Sequence, residues 1–193
     1  TRRYELRFNR MKGCKEYRER HSLFTDYRPV TAEAVKSICF EAQLEGISAI
    51  EYDVQRYVDS RRVSHYWPIE EFLFDLPHWD GQDRIRALAD CVPCENKEWR
   101  DFFYIWFLSM VAHWLQMDRE HANSTSPLLV GPQGCRKSSF CQSLLPPELR
   151  SYYVDGIDLG SRKDAEMALN RFALINLDEF ALRLSQPPIR SLC

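Results

Sequence analysis

Glycine is scarce in this chain of 193 residues, at seven, and no Gly-X-Y period, low-complexity tract or internal repeat runs through it. That excludes collagen-like and compositionally disordered classes. Long apolar runs are lacking too. The longest, Phe102 to Leu115, falls short of the ~18 residues that make a membrane span, so it reads as a buried helix and no membrane partner is expected. No basic-then-apolar leader with a small-residue cleavage site is found. Nor is positive charge in excess: Lys and Arg number 26 against 28 Asp and Glu, a net −2, which is not the basicity of a nucleic-acid binder taken whole. The seven cysteines are an odd number without a framework, which points to reduced thiols and a cytoplasmic compartment. Cys91-Val-Pro-Cys94 is a lone CxxC without a second pair, better read as core or helix-end thiols than as a zinc site.

What is present is a globular composition, 45% hydrophobic and 28% charged, with charge unevenly spread. The first twenty residues carry Arg2, Arg3, Arg7, Arg10, Lys12, Lys15, Arg18 and Arg20 against Glu5, Glu16 and Glu19. A local basic face that contacts DNA and a solvated strand face are both open readings there. Tyr4-Glu-Leu-Arg-Phe-Asn-Arg alternates, a glycine turn follows at Met11–Cys14, and Lys15-Glu-Tyr-Arg-Glu-Arg returns, which predicts a β-hairpin. Thr31 is placed to cap a helix from Ala32 to about Glu45, with Ile38, Phe40 and Leu44 among its apolar positions and Gly46 ending it. Ser48-Ala-Ile-Glu51 fits a capping box opening a helix through Val58. Pro68 favours a helix start after Trp67, and Asp83 begins another, its neighbours Asp80, Arg84 and Arg86 bracing it. Glu95 to Met117 is predicted as a helix apolar nearly all round, hence buried on several sides. His113 within it reads as a hydrogen-bonded core residue, and Trp67, Trp79, Trp99, Trp106 and Trp114 read as mostly core rather than base-stacking platforms.

The polar stretch 118–126 marks a boundary, with a hairpin plus helical region over 1–117 and a second region over 118–193. Beyond it, short apolar strands at Leu128–Val130, Tyr152–Val154 and Phe172–Leu177 alternate with helices at Lys137–Leu145 and Lys163–Asn170. Such alternation predicts a parallel sheet covered by helices. The expected fold class is therefore α+β, a helix-rich N-terminal region followed by the first part of an α/β core.

Within that core, Gly131-Pro132-Gln133-Gly134-Cys135-Arg136-Lys137-Ser138-Ser139 approaches the phosphate-loop pattern. Phosphate needs converging backbone N–H donors, glycines that let the backbone come close, and a lysine charge. Gly131 and Gly134 allow the turn, Lys137 is the candidate for the β- and γ-phosphates of ATP, and Ser138 for Mg²⁺. The pattern asks for glycine where Arg136 stands. Phe172-Ala-Leu-Ile-Asn-Leu-Asp178-Glu179 follows about forty residues later as an apolar strand ending in two acids, the Walker B layout. Asp178 is the candidate for Mg²⁺ and Glu179 for activating water.

Tyr4-Glu-Leu-Arg-Phe-Asn, Tyr66-Trp-Pro-Ile-Glu-Glu-Phe-Leu, Trp79-Asp-Gly-Gln-Asp-Arg-Ile, the Trp106–Trp114 rod, the phosphate loop and Ile-Asn-Leu-Asp-Glu-Phe together resemble the virulence-associated protein E (VirE-like) family. These are phosphate-loop proteins of plasmids, phages and integrated elements, related to primase–helicases. The resemblance implies an ATP- and Mg²⁺-dependent ATPase of the additional-strand type, acting in DNA replication as a homo-oligomer. It also implies later strands bearing a polar sensor and an arginine given to a neighbour, which Ala181–Cys193 does not match, so a truncated chain with impaired hydrolysis is expected. Two other readings stand beside the ATPase: a non-catalytic remnant that binds protein or DNA, and a small-molecule or nucleotide kinase.

Overall fold

A computed structural model describes residues 3–23, 26–117, 125–157 and 161–177. The chain is α+β and divides into two compact units, Thr1–Glu71 and Phe72–Cys193. The boundary expected between residues 117 and 118 adjoins residues 118–124, which lie outside the described residues.

In the first unit the hairpin forms as predicted. Strand β1 (Tyr4–Asn9) pairs antiparallel with β2 (Cys14–Glu19), Tyr4 opposite Glu19 and Asn9 opposite Cys14. Gly13 closes the turn at φ +64°, its N–H donating to the Asn9 carbonyl at 2.9 Å. Two strands not anticipated from the sequence extend it: β3 (Arg28–Pro29) lies antiparallel on β2, and β4 (Ser64–Tyr66) lies parallel to β1, giving the order β3-β2-β1-β4. Between β3 and β4 run helix α1 (Ala32–Leu44) and helix α2 (Glu51–Val58). Thr31 caps α1, its hydroxyl accepting from the Ala34 N–H at 3.1 Å, and Gly46 follows at φ +77°. The face α1 buries is Ala34, Val35, Ile38 and Cys39, whereas Phe40 and Leu44 are exposed. The predicted capping box at Ser48 does not form: α2 starts at Glu51 after an extended Ile50 that makes no side-chain cap.

Helix α3 (Pro68–Phe74) contains the division between the units. The second unit continues with α4 (Arg84–Ala89), α5 (Trp99–Trp114), α6 (Lys137–Ser143), a 3-10 turn (Pro147–Tyr152), strand β5 (Tyr153–Asp155), α7 (Arg162–Arg171) and strand β6 (Leu174–Asn176). Strands β5 and β6 pair in parallel across the α7 crossover, so the expected parallel sheet is present as two strands among the described residues. Its core gathers Ala89, Phe103, Trp106, Met110 and Leu144, with Phe140 and Leu174 packed against them. Phe103 is the hub, with ring centroids 5.2 Å from Trp99, 5.5 Å from Trp106 and 6.1 Å from Phe140. Helix α5 is not enclosed on several sides: Phe103, Trp106 and Met110 are buried, while Phe102, Ile105 and Leu108 are exposed. Apolar side chains all round a helix do not bury it when only one face finds partners. Among the described residues no helix is long and apolar enough to cross a membrane.

Candidate phosphate-binding loop

Residues 131–136 form an exposed loop that enters α6 at Lys137. The loop is anchored through α6, because Phe140 on that helix packs against the core built on α5 and Leu144, which caps its C-terminal end, belongs to that core. Gly134 has φ +82° and Arg136 φ +65°, ψ 29°, so the backbone twice enters the left-handed region. For Gly134 this is free; for Arg136 it costs about 1 kcal/mol. The position where the loop pattern asks for glycine is thus one where the backbone itself favours glycine. A Cβ on Gly131 would lie 3.1 Å from Cys135 Sγ, so a side chain there would crowd the loop.

Lys137 folds back over this loop. Its Nζ donates to the carbonyls of Gly131 and Pro132, both at 2.9 Å, and lies 3.5 Å from Cys135 Sγ. Ser138 beside it is half-buried, while Pro132, Gln133, Cys135, Arg136 and Ser139 are exposed. From residue 125 to residue 147 the chain has two bases, Arg136 and Lys137, and no acid. Among the described residues no carboxylate pairs with either. The basic N-terminal hairpin is the opposite case. Arg3 holds Glu19 and Glu45, Arg7 and Lys12 hold Glu16, Lys15 holds Asp59, and Arg18 holds Glu5.

The sequence-derived site residues from Gly131 to Ser139 therefore come together in one loop and the first turn of α6. The strand expected at Leu128–Val130 is not formed, and Val130 is 85% exposed. A strand exists only through hydrogen bonds to a neighbour, and the β5–β6 pair does not extend to this segment. Asp178 and Glu179 lie outside the described residues. Two polar residues missed in the sequence stand at the C-terminal ends of β5 and β6. Asp155 Oδ1 accepts from Asn176 Nδ2 at 2.8 Å and from the Tyr153 hydroxyl at 2.6 Å. Burial first, and then the Asp155 carboxylate, push the Tyr153 phenol well above its ordinary value. The pairing of Asp155 with Asn176 across the parallel ladder was the signal, and it needs the register to be seen.

The Trp79–Ile85 segment is a self-locked turn. Gly81 at φ +84° lets Trp79 Nε1 donate to the Gln82 carbonyl at 3.1 Å, while Asp80 takes Arg84 in a two-pronged pair at 2.7 and 2.5 Å. Asp83 caps α4, accepting from the Arg86 N–H at 3.0 Å and pairing with its guanidinium at 2.7 Å. Trp79 is 79% exposed, the exception among tryptophans that are otherwise buried or half-buried. His113 is exposed rather than in the core, and Cys91 and Cys94 are exposed too.

Taken together these features define an α+β protein whose second unit couples a helical core to a small parallel sheet and a glycine-bearing loop. The model of the virulence-associated protein E-like domain matches residues 73–185, more than half of the chain, and the chain belongs to that family. The match begins just beyond the division between the compact units and takes in α4 to α7, the Trp79–Ile85 turn and the loop. Comparison with curated proteins finds no match.

Proposed function

We propose that this member of the virulence-associated protein E-like family is an ATP- and Mg²⁺-binding phosphate-loop ATPase module of a mobile-element DNA replication protein. The observation that carries the reading is the Lys137 ammonium folded over the loop onto the Gly131 and Pro132 carbonyls. A lysine held across a loop of exposed backbone, with no carboxylate partner among the described residues, is a cation ready to exchange two carbonyls for phosphate oxygens. The acid-free stretch around it adds an attraction for anions that the chain's net charge of −2 does not provide.

In this reading Gly131 and Gly134 keep the loop backbone accessible and Lys137 neutralises phosphate charge. The half-buried Ser138 hydroxyl serves Mg²⁺ together with Asp178, and Glu179 orients the attacking water; the two acids are assigned from the sequence layout. Bound Mg²⁺ supplies charge neutralisation at the transferring phosphate. The homo-oligomeric and DNA-dependent working state implied by the family resemblance belongs to the same proposal.

Titration calorimetry with ATP and Mg²⁺ tests it. The parent chain is expected to bind and Lys137→Ala to lose at least tenfold in affinity, with phosphate release measured in parallel. Absence of binding in the parent would sink the reading and leave a non-catalytic binding module in its place.

A further inference from the structure

We infer that Arg136 is a second phosphate ligand of the loop, one that makes the site prefer a nucleoside triphosphate over a diphosphate. The inference rests on the phosphate-loop reading and deepens it. Arg136 stands at a left-handed position that glycine would occupy without strain, so its presence there is not explained by the backbone. Its side chain is exposed and has no carboxylate partner among the described residues. It is adjacent to Lys137, whose ammonium lies on the Gly131 and Pro132 carbonyls, so two cations serve one loop.

The two cations are not equivalent. The lysine is a point charge fastened to the loop, while a guanidinium presents a planar fork that takes two phosphate oxygens at once. A longer arginine, held by no carboxylate among the described residues, reaches beyond the phosphate that lysine holds, and an added terminal phosphate brings the charge and the pair of oxygens that such a fork recognises. Glycine at the same position would offer only its backbone N–H.

The experiment compares ATP and ADP, each with Mg²⁺, by calorimetry on the full chain and on Lys137→Ala, Arg136→Gly and Arg136→Lys. The expected result is an ATP preference in the parent that falls about tenfold in Arg136→Gly and less in Arg136→Lys. Arg136→Gly is compatible with the backbone and should melt no lower than the parent, so a lost preference cannot be put down to unfolding. If the parent binds, Lys137→Ala does not, and Arg136→Gly binds ATP as tightly as the parent with the same preference, the inference fails while the phosphate-loop reading stands. If the parent binds neither nucleotide, both fail.

Discussion

Single residues in this chain carry charge in two contrasting settings. Glu16 is 1% exposed, yet it accepts from Arg7 at 2.9 Å and from Asn9 Nδ2 at 3.2 Å, and Lys12 lies 3.3 Å away. The Arg7 guanidinium is in turn held against the rings of Tyr27 and Tyr66, each centroid at 3.5 Å. Removing one partner of such a knot strands the other in a desolvated place, the case in which ion pairs matter most to stability. Glu16→Ala is therefore expected to destabilise the first unit by about 3 kcal/mol. Urea unfolding followed by circular dichroism measures it, and a loss below about 1 kcal/mol would mean that Arg7 and Asn9 find other partners or water. Arg136, by contrast, is exposed and has no carboxylate partner among the described residues, so its cost is in the backbone.

At the scale of elements, much could be read from the chain where the signal is local. Thr31 and Asp83 cap their helices with the bonds their side chains dictate, and Gly13 and Gly46 take the left-handed positions their sequence places imply. What was not legible depended on partners distant in sequence. Strand β4 exists because it pairs with β1, 57 residues earlier, with Arg7 opposite Ser64. Among the described residues, Leu128–Val130 has strand composition and no strand partner, and α5 has apolar residues on faces that nothing in its unit covers. In the candidate site the loop and its lysine were legible from spacing, but not the left-handed backbone at Arg136 or the Asp155–Asn176 contact. The start of α4 also carries a pH prediction. The Arg84 guanidinium and then the Gln82 N–H hold Asp80 well below the usual aspartate value, and the Arg86 N–H and then its guanidinium lower Asp83. A depressed carboxylate contributes stability that is present above the unfolded value, near 3.9, and lost as pH falls through the folded one. The cap and brace should thus persist down to about pH 4 and fail only in stronger acid. Carboxylate carbon shifts followed by NMR titration check this, and a midpoint for Asp80 at or above the ordinary value would refute it.

Across the whole molecule, what matters is which cations are already spoken for. The chain's net charge is −2, and most of the bases of the hairpin that looks basic in sequence are held by carboxylates of the hairpin and of the helices of its unit. The loop at Arg136–Lys137 has no such partners among the described residues, which makes it a local site of attraction for anions. A duplex-DNA contact through Arg3, Arg7, Lys12, Lys15 or Arg18 would require these bases to leave Glu5, Glu16, Glu19 or Asp59, and each exchange returns less than a free cation would. The parent chain should accordingly lose DNA affinity only gradually as salt rises. The double variant Glu5→Gln, Asp59→Asn frees Arg18 and Lys15 of their carboxylates, and if they then meet phosphates the log–log salt slope should steepen by about two, at roughly 0.9 per contact. Fluorescence anisotropy with a labelled duplex between low and moderate salt gives both slopes. A parent slope already as steep as that of the double variant would show that Arg18 and Lys15 leave their acids for DNA, and that pairing with Glu5 and Asp59 does not restrain binding.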